Sequence, residues 1–170
     1  MFKNLRISSL MKYGVAAAIL FCIPMIIFIR DSSYSQGWLL YLGNFLFMLS
    51  VAVFLIFFNK RKDEDASTTS LLLTGHVVTV IGVILATVAS LIALAVMVPG
   101  LFESGPADKV LEQAPAQDQG RKTRGLVLMV LLNAVVGNVS TGSFVAIILA
   151  YYQKKDQTKE GIPISEGRKA

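Results

Sequence analysis

Charged residues are missing from four long stretches of this chain. Residues 13–29, 32–59, 66–102 and 125–153 contain no Asp, Glu, Lys or Arg. Over the whole chain 16% of the residues are charged, whereas a soluble domain usually has about a quarter, and the mean hydropathy is +0.62. A helix needs roughly 20 apolar residues, and about 17 at least, to cross a bilayer. The lack of charge therefore argues against a soluble domain and predicts four membrane-crossing helices.

Cysteine and histidine each occur once, as Cys22 and His76. A single cysteine excludes a disulfide within the chain and the cysteine pair of membrane thiol oxidoreductases. One histidine and one cysteine are also too few for a zinc site built from several such ligands. We therefore expect no metal and no cofactor, and we interpret Cys22 as a small packing residue.

Sequence signatures of catalysis are missing as well. The chain has no HExxH, GxSxG or Walker sequence. Transporters that are driven by protons usually place ionisable residues near the membrane midplane, and the apolar stretches have no carboxylate, Lys or Arg there. The prediction is a protein that is not an enzyme.

The net charge of +5 comes from basic residues that flank the apolar stretches, so the expected partner is the lipid bilayer and not a nucleic acid.

The apolar stretches predict an all-α fold, an integral membrane four-helix bundle with both termini cytoplasmic. The spans are expected at about residues 12–30, 37–59, 69–98 and 125–152 of a single membrane domain, 1–170. The longest connector, residues 103–124, is too short to fold independently without disulfides or metal. The expected location is therefore a cell membrane that the chain crosses several times.

The distribution of basic residues predicts the orientation. The N-terminal tail, the second connector and the C-terminal tail together carry eleven Lys and Arg residues, and the other two connectors carry five. Because basic residues favour the cytoplasmic side, both termini are predicted to be cytoplasmic. Tyr34, Trp38 and Tyr41 would then mark the outer boundary of the second span, and Tyr151 and Tyr152 the inner boundary of the fourth.

Small residues recur at helical spacing in two of the spans. The first span has Gly14, Ala18 and Cys22 four residues apart. The third span has such residues at every third or fourth position: Gly75, Thr79, Gly82, Ala86, Ser90 and Ala93. Stripes of this kind let helices approach closely. Four helices would use only part of these surfaces internally, so the stripes favour self-association or a place in a larger membrane complex.

Polar side chains collect in the middle of the fourth span. The predicted polar intramembrane cluster consists of Asn44, Asn133, Asn138, Ser140 and Thr141. On a helix with 100° per residue, Asn133, Ser140 and Thr141 share one side and Asn138 lies at its border. The cluster could line a cavity for a ligand, an ion or water beside a helix that opens at Gly137 or Gly142. The favoured interpretation is that it provides hydrogen bonds and close packing between helices.

Two of these amides are predicted to lie at similar depth in the membrane. Asn44 is six residues from Trp38 at the outer end of the second span, and Asn133 is eight residues from Gly125 at the outer end of the fourth. We therefore predict a hydrogen bond between Asn44 and Asn133, either direct or through water.

His76 lies near the cytoplasmic start of the third span. It could be a haem ligand or a group that responds to pH, although membrane haem sites generally need two strong ligands. The favoured interpretation is an interface histidine that forms a hydrogen bond, with Asn59 as a candidate partner.

The two ends of the apolar region resemble those of a known group of proteins. Lys12, Tyr13 and Gly14 precede the first span, and residues 142–155 read GSFVAIILAYYQKK. These segments resemble a group of small four-span bacterial inner-membrane proteins of unknown function. The resemblance implies a bacterial inner membrane and supplies no activity or site.

Three functions remain open from the sequence. The first is a structural or accessory membrane component that acts by self-association or within a larger complex. The second is a small transporter or channel-like module that uses the polar face of the fourth span. The third, ranked last, is a membrane enzyme or redox subunit built on His76.

Overall fold

The long helices follow directly from the apolar stretches. The computed structural model describes residues 7–61, 68–98 and 122–157, and those residues are almost entirely helical. The helices and the short turns between them are α1 Ile7–Asp31, a 3-10 turn Tyr34–Gln36, α2 Trp38–Arg61, α3 Thr68–Met97, α4 Lys122–Leu132, a π-helical turn Asn133–Gly137 and α5 Asn138–Gln157. Because α4, the π turn and α5 are continuous, we call them together the composite helix.

Four helical segments are long and apolar enough to cross a membrane. The segments are Ile7–Asp31, Tyr34–Phe58, Thr68–Met97 and Gly125–Gln153. An α-helix satisfies its backbone hydrogen bonds internally, which hydrocarbon requires because it contains no water. The helices overlap the predicted spans along nearly their whole length, so the predicted all-helical fold with four such helices is confirmed. These properties indicate a multi-pass membrane protein.

The end of α1 is closed by a serine in an unusual backbone conformation. Ser32 has a φ of 50°, in the left-handed region that few residues other than glycine adopt. Its N–H donates to the carbonyl of Phe28 at 2.8 Å, and its hydroxyl donates to the carbonyl of Ile29 at 2.7 Å. These bonds satisfy carbonyl groups at the end of the helix and turn the chain toward α2.

Two pairs of helices are antiparallel. In the first pair, Gly43 of α2 packs against Phe21 of α1, and the ring of Tyr13 in α1 lies 4.8 Å from that of Phe54 in α2. The residue number rises in one helix as it falls in the other. In the second pair the contacts join α3 to α5 with the same reversal: Gly75 with Ala146, and Thr79 with Gly142.

The two pairs pack side by side to form a four-membered ring. Asn44 of α2 meets Asn133 of the composite helix, and Gly37 at the start of α2 faces Met129, so these helices run parallel. On the other side α1 packs extensively against α3, where Gly14 and Gly82 meet. The order around the ring is α1, α2, composite helix, α3. Helices α2 and α3 are consecutive in the chain but lie diagonally, with few contacts.

Large aromatic side chains and small residues share the core. Phe21, Phe28, Phe47 and Phe54 are almost completely buried. The α3 stripe faces into the bundle, because its residues from Gly75 to Ser90 are buried. Its hydroxyls bond to carbonyls of their own helix, such as Ser90 to Ala86 at 2.7 Å. This stripe is therefore used mainly within one copy of the chain, contrary to the expectation that much of it would remain for a partner.

The orientation prediction rests on side chains that are mostly outside the described part. Of the sixteen Lys and Arg residues, the structure describes the side chains of Lys12 and Arg30. In the charged connector after Asn59 and in the long connector before Gly125, either the whole residue or its side chain lies outside the described part of the structure. The positions of the termini relative to a membrane therefore remain a prediction.

Candidate functional site

An amide pair joins α2 to the composite helix. Asn44 Nδ2 donates to Asn133 Oδ1 at 2.8 Å, so the predicted hydrogen bond between these residues is present and direct. Asn133 Nδ2 in turn donates to the carbonyl of Met129 at 2.9 Å. Asn44 is 6% exposed and Asn133 is half-buried. In an apolar interior such a bond is worth about 0.6–1.7 kcal/mol.

Gly137 makes room for this amide pair. A Cβ at position 137 would stand 2.5 Å from Nδ2 of Asn44 and 2.9 Å from both Cγ and Oδ1. The Asn44 amide therefore lies directly on the backbone of the π turn. Gly137 is one of the two positions, with Gly142, at which the sequence predicted that the helix could open. The seating of Asn44 against Gly137 was not predicted, because the depths that matched in the sequence were those of Asn44 and Asn133.

The π turn is coupled to the side chain of Asn138. The backbone N–H of Asn138 bonds to the carbonyls of Asn133 and Val135. In an α-helix this N–H would instead bond to the carbonyl of Ala134, four residues back. The side-chain Nδ2 of Asn138 donates to that same Ala134 carbonyl at 3.1 Å. The side chain of Asn138 thus donates to the Ala134 carbonyl in place of the backbone N–H of Asn138, which would be the donor in a regular α-helix.

The five residues of the predicted polar cluster are not all brought together. Asn44 and Asn133 are hydrogen-bonded, and Asn138 is fully buried one turn along the composite helix. Thr141 is half-buried, and its hydroxyl donates to the carbonyl of Gly137 at 3.0 Å. Ser140 is exposed on the outside of the bundle. The inward face of the composite helix therefore runs through Asn138 and not through Ser140.

That inward face has a regular four-residue spacing. Its buried positions are Leu126, Val130, Ala134, Asn138, Gly142, Ala146 and Ala150. Gly142 allows contact with α3, because a Cβ there would lie 2.5 Å from Cγ2 and 2.6 Å from Oγ1 of Thr79. The face thus places one fully buried amide among apolar and small residues.

His76 lies apart from the amides, near the start of α3. Its Nδ1 is 2.8 Å from the carbonyl oxygen of Leu72. Because a carbonyl can only accept, Nδ1 is the donor in this contact. The suggested partnership with Asn59 lies outside the described residues, since the side chain of Asn59 is not described.

The chemistry available at the amide site is hydrogen bonding without proton transfer. Amide side chains do not titrate in the physiological range, and the side chains that meet there are amides and hydroxyls. Within residues 7–61, 68–98 and 122–157, no group of three or more His, Cys, Asp or Glu side chains could hold a metal ion. The site can hold helices together or accept hydrogen bonds from a small ligand.

Comparisons with known proteins assign this chain to no family. No protein-family model matches the chain, and neither a curated protein nor a solved structure shows significant similarity to it. The amide pair, the π turn and the buried Asn138 are therefore the observations from which a function has to be argued.

Proposed function

We propose that this chain is a small multi-pass membrane protein that serves as a structural or accessory component, either by self-association or within a larger membrane complex. Its polar interior supports a role without catalysis. Asn44 bonds to Asn133, and the hydroxyl groups of Thr79 and Ser90 bond to carbonyls of their own helix. These side chains stabilise helices and their packing, and none of them supplies an acid or a base.

Uneven burial of the four helices is the observation that carries this proposal. Within one apolar 18-residue stretch of each segment, 44% of the residues in α1 and 50% in the second segment are buried, against 28% in α3 and 28% in the fourth segment. The pair formed by α3 and the composite helix thus presents a wider uncovered apolar surface. The buried stripe on α3 does not belong to that surface. A partner helix would instead pack against exposed residues such as Val88 on α3 and Val136 on the composite helix.

The proposed setting is a bacterial inner membrane with both termini in the cytoplasm. The excess of Lys and Arg in the tails and the second connector supports this orientation. The exposed rings of Trp38, Tyr41, Tyr151 and Tyr152 suit the two water boundaries of a bilayer. The resemblance of residues 12–14 and 142–155 to small bacterial membrane proteins supports the choice of membrane.

Purification in a mild detergent tests the proposal, followed by measurement of the protein mass within the micelle. The expected result is a homo-oligomer or a larger protein that co-purifies. Cysteine cross-linking in a Cys22→Ser background then maps the surface. Val88→Cys on α3 should cross-link more strongly than the control Ile23→Cys on α1, since these side chains are similarly exposed, at 50% and 52%. A monomer with no co-purifying protein and no cross-link at either position would refute the proposal.

A transporter or channel-like module is the second candidate function. The observation that favours it is the π turn at Asn133–Gly137, because such turns inside α-helices frequently occur at functional sites. Its test is the reaction of Asn138→Cys with a water-soluble thiol reagent in intact vesicles. Labelling would require a path from water to a position that is fully buried in this conformation. If Asn138→Cys stays unlabelled while Tyr41→Cys reacts, this second candidate is refuted.

A further inference from the structure

Two buried side-chain oxygens near the π turn have no hydrogen-bond donor in the described part of the chain. They are Oδ1 of Asn44 and Oδ1 of Asn138. Asn44 is 6% exposed and Asn138 is 0% exposed. A buried acceptor without a donor is destabilising, and lipid tails around the bundle cannot supply a donor. Two such atoms in one small region call for a shared explanation.

The neighbouring carbonyls fix which atom of each amide is left over. Asn133 Nδ2 donates to the Met129 carbonyl, so Oδ1 is the atom that Asn133 presents to Asn44. Asn44 must therefore present Nδ2 as the donor, which leaves its Oδ1 without a hydrogen-bond partner in the described part of the chain. Asn138 Nδ2 faces the Ala134 carbonyl in the same way. Flipping either amide would place two acceptors against each other, so both unpartnered atoms are oxygens.

The two amides border the same backbone turn. Asn44 Oδ1 is 2.9 Å from the point where a Cβ on Gly137 would stand. Gly137 is covalently joined to Asn138, and consecutive Cα atoms are about 3.8 Å apart. The two amides thus border neighbouring residues at the end of the π turn, and one small molecule placed between them would meet both oxygens.

The chemistry of two acceptors selects the ligand. The hydrogen-bonded neighbours of this region are amides and backbone carbonyls, and the adjoining inward positions Val130, Ala134 and Gly142 carry no charge. A metal cation would lack a counter-charge and would need more oxygen ligands than two, for example six to eight for Ca²⁺. A neutral molecule with two donor hydrogens needs neither, and buried waters commonly make about three hydrogen bonds.

We propose that one internal water molecule occupies this position and donates one O–H to Asn44 Oδ1 and the other to Asn138 Oδ1. The water links α2 to the composite helix beside the direct bond between Asn44 and Asn133. It also holds Asn138 in the orientation that serves the Ala134 carbonyl. This inference does not depend on the proposed function, because it concerns how one copy of the chain satisfies its own polar groups.

The experiment is water-edited NMR of the full chain, uniformly labelled with ¹⁵N, in lipid nanodiscs. Magnetisation should pass from water to the side-chain amide protons of both Asn44 and Asn138. The backbone amide of Ala86, a fully buried residue of α3, serves as the dry reference. If the two asparagines receive no more magnetisation than Ala86, the proposal is overturned.

Two further measurements identify the ligand and its position. Asn138→Leu should abolish the transfer to Asn44, whereas the control Ser140→Leu, at an exposed position of the same helix, should leave it unchanged. Persistence of the transfer to Asn44 in Asn138→Leu would overturn the bridging position. If Asn138→Leu does not fold, the wild-type measurement still decides the proposal. Saturable shifts of both wild-type amides with ammonium or potassium chloride, with loss of the water signal, would show a cation and overturn a neutral ligand.

Discussion

Replacing Gly137 with Ala tests the contact on which the amide pair depends. The new methyl group would lie 2.5 Å from Nδ2 and 2.9 Å from Oδ1 of Asn44. Real Cβ atoms essentially never approach other heavy atoms closer than 3.0 Å. Asn44 would therefore have to move away, and its bond to Asn133 would be broken or strained.

The expected cost follows from three contributions. The lost hydrogen bond is worth about 0.6–1.7 kcal/mol. Overpacking of a tight interior costs about 1–3 kcal/mol. The higher helix propensity of alanine offsets roughly 1 kcal/mol of these costs. The net expectation is a loss of about 0.6–3.7 kcal/mol in the free energy of unfolding.

The assay is unfolding by added SDS in mixed micelles, followed by far-UV circular dichroism. Gly125→Ala is the matched control, because a Cβ at Gly125 would meet nothing within 4 Å. That control should be neutral or stabilising by up to about 1 kcal/mol. In an Asn44→Ala background the penalty of Gly137→Ala should largely disappear, since the clashing atoms are gone. Equal stability of Gly137→Ala and Gly125→Ala in the parent protein would refute the reasoning.

Three other substitutions probe the remaining close approaches and the end of α1, by the same unfolding assay. Gly142→Ala should lower the free energy of unfolding by about 1–3 kcal/mol, because its methyl would lie 2.5 Å from Thr79 Cγ2. Adding Thr79→Ala should restore part of that stability, and no restoration would contradict this contact. Gly82→Ala should be at least as damaging, because its methyl would lie 2.8 Å from the buried Phe47 ring and 3.3 Å from a backbone oxygen; a neutral result would show that α1, α2 and α3 are less tightly packed there. Ser32→Ala should lower the free energy of unfolding by about 0.5–1.5 kcal/mol through the lost hydroxyl bond, and Ser32→Gly should lower it less because glycine has no Cβ to strain at a positive φ; the reverse order would exclude relief of backbone strain.

The helices could be predicted because the signal is local. A run without charge that is long enough to cross a bilayer leaves little choice but a helix, and this holds for α1, α2, α3 and the composite helix. The bond between Asn44 and Asn133 could be predicted for a related reason. Both residues were counted from the same end of their helices, and those two helices run parallel and adjacent in the structure.

The inward face of the composite helix could not be predicted, because a projection with 100° per residue assumes one uninterrupted α-helix. It places Asn138 about 140° away from Asn133. The π turn joins these two residues by a backbone bond that spans five residues, which brings them toward the same side. Ser140, projected onto the polar side, is consequently exposed. Periodicity alone did not reveal this change of winding.

Helix neighbours around the ring were also beyond the reach of the sequence. Each small-residue stripe predicted that another helix would approach closely, but it did not indicate which helix. Gly14 meets Gly82, and Gly75 meets Ala146, so the stripes on α1 and α3 are matched within one chain. The number of surfaces left for other proteins depends on that pairing, which is a property of the packed bundle.

The diagonal placement of α2 and α3 has a consequence for the order in which the bundle can be completed. A chain synthesised from its N-terminus makes Asn44 long before Asn133. Until the composite helix packs between α2 and α3, the Asn44 side chain has no Asn133 to bond to. A chain that stops before residue 125 would therefore lack both the helix that joins α2 to α3 and the acceptor for Asn44 Nδ2.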